Sequence, residues 1–231
     1  MMKTTSGMAP AVRLGILLGV FALKPDISFF AQTARTVVDN DQVKVLSVDV
    51  APHQKTRLHD HKVNRVMIYL QAGKQTIDYQ DGKKTVLNWK AGEAKWSPAS
   101  GMHIAEITSD QPVTIVEVEL KNAGTSTKAG SQKLDPLKVD PKHYKIEFEN
   151  AQVRVFRVKL GPKETIPLHE HALNRVVTYL TGQKVKVTTP DGKSELSQHQ
   201  AGDASWGGPA KHTEENLNDS PMEALVVELK G

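Results

Sequence analysis

HDHKVNRVMIYL at residues 59–70 and HEHALNRVVTYL at residues 169–180 are two versions of one segment, 110 positions apart. At that offset residues 40–97 align with residues 150–207 without a gap, and 22 of the 58 positions are identical. One residue is then lost from the second copy, so that His103 aligns with His212. Repeats of about 20 to 50 residues stack into solenoids, whereas this longer period is typical of two copies of one small domain. The chain is therefore a tandem duplication.

Each copy is predicted to consist of β-strands. Segments that alternate apolar and polar residues, or are rich in β-branched residues, cover residues 42–50, 63–70, 75–79, 84–89 and 113–120 in the first copy. Asp81-Gly82 and Asp191-Gly192 are pairs that suit two-residue hairpin turns. No convincing helical periodicity follows residue 40. Short strands punctuated by Gly, Asp and Pro predict an all-β fold, a sandwich or barrel in each copy.

The composition excludes several classes of protein. With 39% hydrophobic and 24% charged residues among 231, the chain is typical of soluble globular proteins rather than disordered ones. It has no cysteine, which excludes disulfides, thiolate metal sites and thiol nucleophiles. The net charge is only +4 and the lysines are scattered, so nothing indicates a nucleic-acid partner.

The two ends of the first copy differ from the repeat itself. Lys3 and Arg13 precede the ten-residue apolar run Leu14 to Leu23, the layout of a secretory signal peptide, which we place at residues 1–31. The run is too short for a stable membrane anchor, so we expect a secreted or periplasmic protein; an uncleaved tether and a buried helix remain alternatives. Residues 121–140 are predicted to be a linker, which leaves barrels at residues 36–120 and 141–231.

Six of the nine histidines occupy equivalent positions in the two copies. They form an N-terminal triad and a C-terminal triad, which are His59, His61 and His103, then His169, His171 and His212. Residues two apart on a strand project from the same face, so each HxH pair aims two imidazoles at one point, and the third histidine comes from a later strand. The triads predict a divalent metal ion, Fe, Mn, Zn, Ni or Cu. The alternative is that they are ordinary surface or core histidines.

The pattern resembles the cupin superfamily, and specifically a two-domain bicupin similar to small bacterial conserved-barrel cupins. The first cupin motif, G(x)5HxH(x)3-4E(x)6G, is approached by Gly161-(x)7-His169-x-His171 followed by Gly182. The second, G(x)5PxG(x)2H(x)3N, is echoed in the first copy by Gly92, Pro98, Gly101 and His103. The resemblance implies two tandem small jelly-roll barrels with a metal, where there is one, in the mouth of each.

The sequence departs from the cupin pattern at the glutamate of the first motif. Arg65 and Arg175 stand four residues after the second histidine of each HxH pair, where that glutamate is expected. An inward arginine about 6 Å from a divalent ion would be repelled by roughly 5 to 6 kcal/mol at an effective dielectric near 20. A bound anion would relieve this repulsion, as would an outward guanidinium paired with Glu106 or Glu215, and the two orientations stay open.

We take the candidate substrate-binding residues from the neighbourhood of the HxH pairs. They are Arg65 and Arg175, which would bind a carboxylate, together with Asn64, Asn174, Tyr69 and Tyr179. Glu106 and Glu215 follow the last histidine of each triad by three positions, so strand alternation places them on the opposite face. Trp96 and Trp206 are interpreted as core residues. No catalytic residue is assigned.

Three functions fit these features. The first is a metal-dependent oxygenase or isomerase acting on a small organic acid. The second is a non-catalytic module that binds a small anion or sugar and whose metal site is degenerate because the motif glutamate is missing. The third is a structural or storage barrel. We also expect exposed strand edges to favour pairing between barrels or between chains, as in a homo-oligomer.

Overall fold

A computed structural model describes residues 32–124 and 130–231 of the protein. The predicted signal peptide falls on residues 1–31 and therefore lies outside the described residues. Within the described residues, no helix has the length and apolar character needed to cross a membrane.

The N-terminal barrel is built from nine strands. They are β1 (Thr33–Asp39), β2 (Val43–Val50), β3 (His59–His61), β4 (Arg65–Tyr69), β5 (Gly73–Tyr79), β6 (Lys84–Trp89), β7 (Glu93–Ser97), β8 (Ser100–Ile107) and β9 (Val113–Leu120). All pairings are antiparallel and form two sheets, β1-β2-β9-β4-β7 and β3-β8-β5-β6. Strands β1, β3, β7 and β8 lie outside the segments predicted above.

The C-terminal barrel repeats this design. Its strands are β10 (Tyr144–Glu149), β11 (Val153–Leu160), β12 (Thr165–His171), β13 (Arg175–Tyr179), β14 (Gln183–Thr188), β15 (Ser194–His199), β16 (Ala204–Gly207), β17 (Ala210–Asn216) and β18 (Met222–Leu229). They form the sheets β10-β11-β18-β13-β16 and β12-β17-β14-β15, the same order as in the first barrel. The all-β class and the two tandem barrels are thus confirmed.

Alternation along each strand separates two apolar environments. In β4, Val66 and Ile68 join one core cluster while Met67 and Tyr69 join another, because successive strand residues point to opposite faces. The second cluster fills part of the N-terminal barrel. The first, which we call the inter-barrel cluster, combines residues of both halves, such as Val118 with Val227. The two five-stranded sheets therefore pack against each other.

Reciprocal polar contacts accompany this packing. Asn64 Nδ2 donates to Gln152 Oε1 of the other half, and Asn174 Nδ2 donates to Gln42 Oε1 at 2.6 Å. Asn64 aligns with Asn174 and Gln42 with Gln152, so each barrel makes the same contact to the other. The two barrels are therefore related by an approximate two-fold axis, although their sequences differ.

The segment between the barrels contains a helix that the sequence did not indicate. Helix α1 (Pro136–Val139) spans one turn, and the side chain of Asp135 caps it by accepting a hydrogen bond from the Leu137 N–H at 3.1 Å. Arg154 of β11 donates to the same carboxylate at 2.7 Å. The end of the predicted linker is therefore attached to the C-terminal barrel.

Candidate functional site

The N-terminal triad forms a compact cluster. Strands β3 and β8 pair so that His59 lies opposite His103, and His61 follows two residues later on the same face. The ring centroids lie between 4.4 and 5.3 Å apart. One ring nitrogen from each histidine lies within 4.8 Å of the others, so the three can share one ligand.

The C-terminal triad has the same arrangement on β12 and β17. His169 lies opposite His212, and the three centroids are 4.5 to 5.6 Å apart. His169 and His171 are more deeply buried than His59 and His61, whereas His212 and His103 are buried to the same extent. The structure thus brings the six equivalent histidines together as two separate trios.

Backbone carbonyls orient several of the rings. His59 Nδ1 lies 2.8 Å from the Arg57 carbonyl oxygen, and His103 Nδ1 lies 2.7 Å from that of Gly101. His169 Nδ1 contacts the Pro167 carbonyl at 2.9 Å in the same way. A carbonyl oxygen only accepts, so these Nδ1 atoms carry the proton and each Nε2 is left as an acceptor.

Arg65 points into the N-terminal barrel. Its Nη1 donates to Glu117 Oε2 and to His61 Nε2, both at 2.9 Å, and its Nη2 donates to Ser97 Oγ at 3.0 Å. Burial, followed by the charge of Arg65, lowers the pKa of His61 to about 3. His61 is consequently a neutral acceptor, and its Nε2 is already bonded to a cation.

Arg175 is placed differently although its position is equivalent. Gly207 and Val226 occupy the positions of Ser97 and Glu117, so the groups that hold Arg65 are missing. The Arg175 side chain packs over Gly207, because a Cβ atom added to this glycine would lie only 3.1 Å from Arg175 Cζ. Its Nη1 donates to the Gly208 carbonyl. The two arginines therefore differ in their hydrogen-bond partners.

A carboxylate from β17 stands beside the C-terminal triad. Glu214 follows His212 by two positions, and its Oε1 lies 3.3 Å from His212 Nε2. Burial opposes its ionisation, but His212, His169 and His171 outweigh that effect and lower the pKa of Glu214 to about 2. The equivalent residue of the first barrel is Ala105. Only the C-terminal triad has this carboxylate.

A buried ion network supports His171 from behind. Its Nδ1 lies 2.8 Å from Glu228 Oε1, and Arg154 donates to Oε2 of the same carboxylate from Nη2 at 2.6 Å. Arg154 also reaches Asp135, as described above. Burial lowers the pKa of His171 well below its usual value. A carboxylate behind an imidazole fixes the ring orientation and raises its basicity as a ligand.

The candidate tyrosines pack against rings of the barrel. Tyr69 lines the interior and stacks on Trp89 with centroids 4.2 Å apart. Tyr179 stacks on His199 at 3.8 Å, and its hydroxyl bonds Ser205 Oγ at 2.9 Å. The tyrosine nearest a triad was not predicted: Tyr144 of β10 places its hydroxyl 3.1 Å from His169 Nε2.

The candidate asparagines lie away from the histidines. Asn64 and Asn174 precede the arginines by one residue, so strand alternation turns them to the inter-barrel face, where they make the reciprocal contacts described above. Glu106 pairs with Lys55, and neither Glu106 nor Glu215 joins a triad. Trp96 and Trp206 pack against the inter-barrel cluster.

A cavity of about 880 Å³ occupies the N-terminal barrel. The N-terminal triad and Arg65 line it, together with Glu117, Glu119 and Tyr69. Its volume lies within the range of about 300 to 1,000 Å³ that is usual for small-molecule sites.

Comparison with solved structures identifies the fold. Oxalate decarboxylase from Bacillus subtilis, described with Mn(II) centres, superposes with a TM-score of 0.58 over 81% of this chain and 69% of its own, at 14% identity. A cupin 2 conserved barrel domain protein from Leptotrichia buccalis gives 0.54 over 87% and 90%, at 13% identity. The protein has the bicupin fold. AerE from Microcystis aeruginosa gives 0.59 over 86% and 97%, at 11% identity.

Sequence comparisons add nothing to this result. No protein-family model matches the chain, and no curated protein matches it significantly. The structural neighbours are too distant in sequence to carry a reaction or substrate over to this chain.

The two barrels differ in how well their side chains could bind a metal ion. In the C-terminal barrel His212 Nε2 is buried and lies 3.3 Å from the Glu214 carboxylate. The nitrogens of His169, His171 and His212 converge closely enough to share a divalent ion, with the Glu214 carboxylate beside them but outside that group. In the N-terminal barrel His61 also groups with Glu117 and Glu119, but Arg65 is bonded to two of these three residues. The C-terminal set fits a metal better as it stands.

Proposed function

We propose that the protein is an exported bicupin that holds a divalent metal ion in its C-terminal barrel. The ligands would be His169, His171, His212 and Glu214, and the reaction would be of the oxygenase or isomerase type on a small organic acid. The observation that carries the proposal is the convergence of three buried histidine nitrogens within 4.8 Å of one another, with the Glu214 carboxylate 3.3 Å from one of them. Convergent imidazole nitrogens are the donors that a divalent metal ion requires.

The chemistry assigned to this site follows from the surrounding groups. A divalent ion acts as a Lewis acid on a bound substrate oxygen. Glu228 orients His171, while burial raises the pKa of Tyr144 well above its usual value, so its hydroxyl remains a hydrogen-bond donor beside His169. The positive charge of Arg175 acts on the same histidines and would favour a carboxylate substrate. The Mn(II) centres of oxalate decarboxylase support a metal in this fold.

Metal analysis tests the proposal. Protein purified without chelator should contain about one equivalent of a divalent metal, and His212→Ala should lose it. Glu214→Gln should weaken binding by about tenfold or more, because it removes the anionic ligand. His103→Ala, the equivalent change in the N-terminal barrel, serves as the matched control and should retain the metal. Wild-type protein that binds no ion near stoichiometry would overturn the proposal.

Export rests on the pattern of residues 1–31 alone. We propose that this segment directs the chain out of the cytoplasm and is removed. Cell fractionation with N-terminal sequencing of the mature protein tests this, and an intact Met1 on cytoplasmic material would contradict it.

The N-terminal barrel favours a second function, binding of an organic anion without catalysis. Arg65 already occupies the bonding position of His61 Nε2 and lines a large cavity. That observation leads to a more specific inference.

A further inference from the structure

The interiors of the two barrels are filled to different extents. Four C-terminal positions carry large side chains that are at most 2% exposed, namely Tyr144, Phe156, Leu160 and Ile166. The repeat-equivalent residues are all smaller: Ala34, Leu46, Val50 and Thr56. The registers correspond, since Ala34 pairs with Val48 as Tyr144 pairs with Val158. All four smaller residues line the 880 Å³ cavity.

The lining of the cavity combines apolar walls with positive charge. Leu46, Val50, Met67, Ile77 and Ile115 are among the apolar residues. Four basic side chains line the cavity with two carboxylates, and these are Lys55, Arg57, Arg65 and Lys95 with Glu117 and Glu119. Lys55 pairs with Glu106, Lys95 with Glu93 and Arg65 with Glu117. An occupant with an apolar body and a negatively charged group matches this surface.

Arg65 is the buried cation of this surface. Its side chain is 7% exposed, and Ser97 and Glu117 hold it inward. Its Nε is buried without an acceptor, so the guanidinium lacks one of its hydrogen bonds. The fork geometry of a guanidinium suits a carboxylate. Arg175, which lacks both holding groups, is bonded to a backbone carbonyl instead.

We propose that the N-terminal barrel binds an amphipathic carboxylate, one with an apolar chain of medium length, and that Arg65 rather than a metal ion holds its charged end. The apolar chain lies against the residues that are small in this barrel and large in the other. Because Arg65 is bonded to His61 Nε2, this site binds the carboxylate while the imidazoles of the N-terminal triad hold no metal ion. The inference does not depend on metal binding in the C-terminal barrel.

Decanoate is a suitable probe, with decanol and acetate as controls for its two parts. On the full chain treated with EDTA, decanoate should raise the melting temperature, since a ligand that binds only the folded state stabilises it. By calorimetry it should bind about tenfold or more tightly than decanol or acetate. Equal binding of decanol, or binding of decanoate only after Mn²⁺ is added, would overturn the proposal.

Two variants localise the site. Arg65→Met should weaken decanoate binding by about tenfold or more, whereas Lys186→Met, which removes an exposed cation of the other barrel, should leave it within about twofold. Since Arg65→Met also leaves Glu117 unpaired, a second variant avoids the ion pair: Ala34→Tyr copies Tyr144 at an exposed position and should abolish binding while the protein stays folded. Unchanged affinity in either Arg65→Met or Ala34→Tyr contradicts the proposal. If protein purified without chelator contains no metal and still binds decanoate, this inference is supported and the metal proposal is rejected, so the two fail separately.

Discussion

A single arginine connects the linker helix to the C-terminal triad. Arg154 is 3% exposed and bonds both Asp135 and Glu228, and Glu228 in turn bonds His171. Removal of the arginine would leave two buried carboxylates without their partner. Such an uncompensated charge is far more costly than the loss of an exposed ion pair.

We therefore expect Arg154→Met to lower the free energy of unfolding by about 3 to 5 kcal/mol. Denaturant unfolding at neutral pH measures the change. Lys44 is the repeat-equivalent residue and makes no comparable buried pair among the described contacts, so Lys44→Met should cost less than about 1 kcal/mol. Equal effects of the two substitutions would show that the network contributes nothing specific.

The sequence predicts some site residues and misses others for identifiable reasons. The HxH pairs are predictable because a spacing of two places both rings on one face. Glu214 was predictable in the same way, because it stands two residues after His212 and therefore shares its face. Asn64 is adjacent to Arg65, so the same alternation places it on the opposite face. The inward orientation of Arg65 was not predictable, because it depends on Ser97 and Glu117, which are distant in sequence. Nothing in the sequence indicates Tyr144 as a site residue, except that the equivalent residue of the first copy is the much smaller Ala34.

The turn between β11 and β12 is fixed by a charged side chain. Glu164 accepts a hydrogen bond from the Gly161 N–H at 2.7 Å, lies 3.2 Å from His143 Nε2, and pairs with Lys142. The Lys142 contact, followed by the Gly161 N–H, lowers the pKa of Glu164 from 4.5 to about 2. The folded state therefore favours the ionised carboxylate.

The consequence is a pH-dependent contribution to stability. It is fully present above pH 4.5 and is lost as the pH falls through about 2. Glu164→Gln should lower the melting temperature at pH 7, and the gap to wild type should narrow below about pH 4.5. Melting curves from pH 7 to pH 3 test this, with exposed Glu195→Gln as the control. A gap that stays constant over this range would contradict the assignment.

Element prediction succeeded where apolar residues alternate and failed where they do not. Strands β2 and β9 are rich in valine and were predicted nearly to their ends. Strand β8 begins with Ser100-Gly101 and mixes polar with apolar residues, so its pattern is weak, although it carries His103. Helix α1 is a single turn and has too few residues to show a helical period.

The inter-barrel cluster makes the unfolding of the two halves interdependent. Ile68 is fully buried in this cluster together with Val227 of the other barrel. Ile68→Ala should reduce the free energy of unfolding by about 2 to 5 kcal/mol, because it removes buried methylene groups and leaves a cavity. We expect one cooperative transition for both barrels in the wild type and in the variant.

Calorimetry together with tryptophan fluorescence tests this expectation. Val86 is 50% exposed on the outer sheet, so Val86→Ala should change stability by no more than about 0.5 kcal/mol and serves as the control. Two separate transitions, of which Ile68→Ala shifts only one, would show that the barrels unfold independently.

At the level of the whole molecule the repeat predicted two barrels but not their contact. Both faces of β4 are apolar apart from Arg65, which in retrospect indicates a strand covered on both sides. The partner for the outer face could not be identified from sequence, since any apolar sheet would satisfy the pattern. Pairing of barrels was expected only in general terms, from exposed strand edges, and the observed contact uses sheet faces instead.

The reciprocal Asn–Gln contacts are those of a symmetric homodimer joined into one polypeptide. In a homodimer encoded by a single gene, every substitution appears in both subunits, so both interiors must change together. Fusion removes that constraint while the shared face continues to hold the halves together. One interior could then become filled with large side chains while the other remained open. Identical subunits cannot differ in this way.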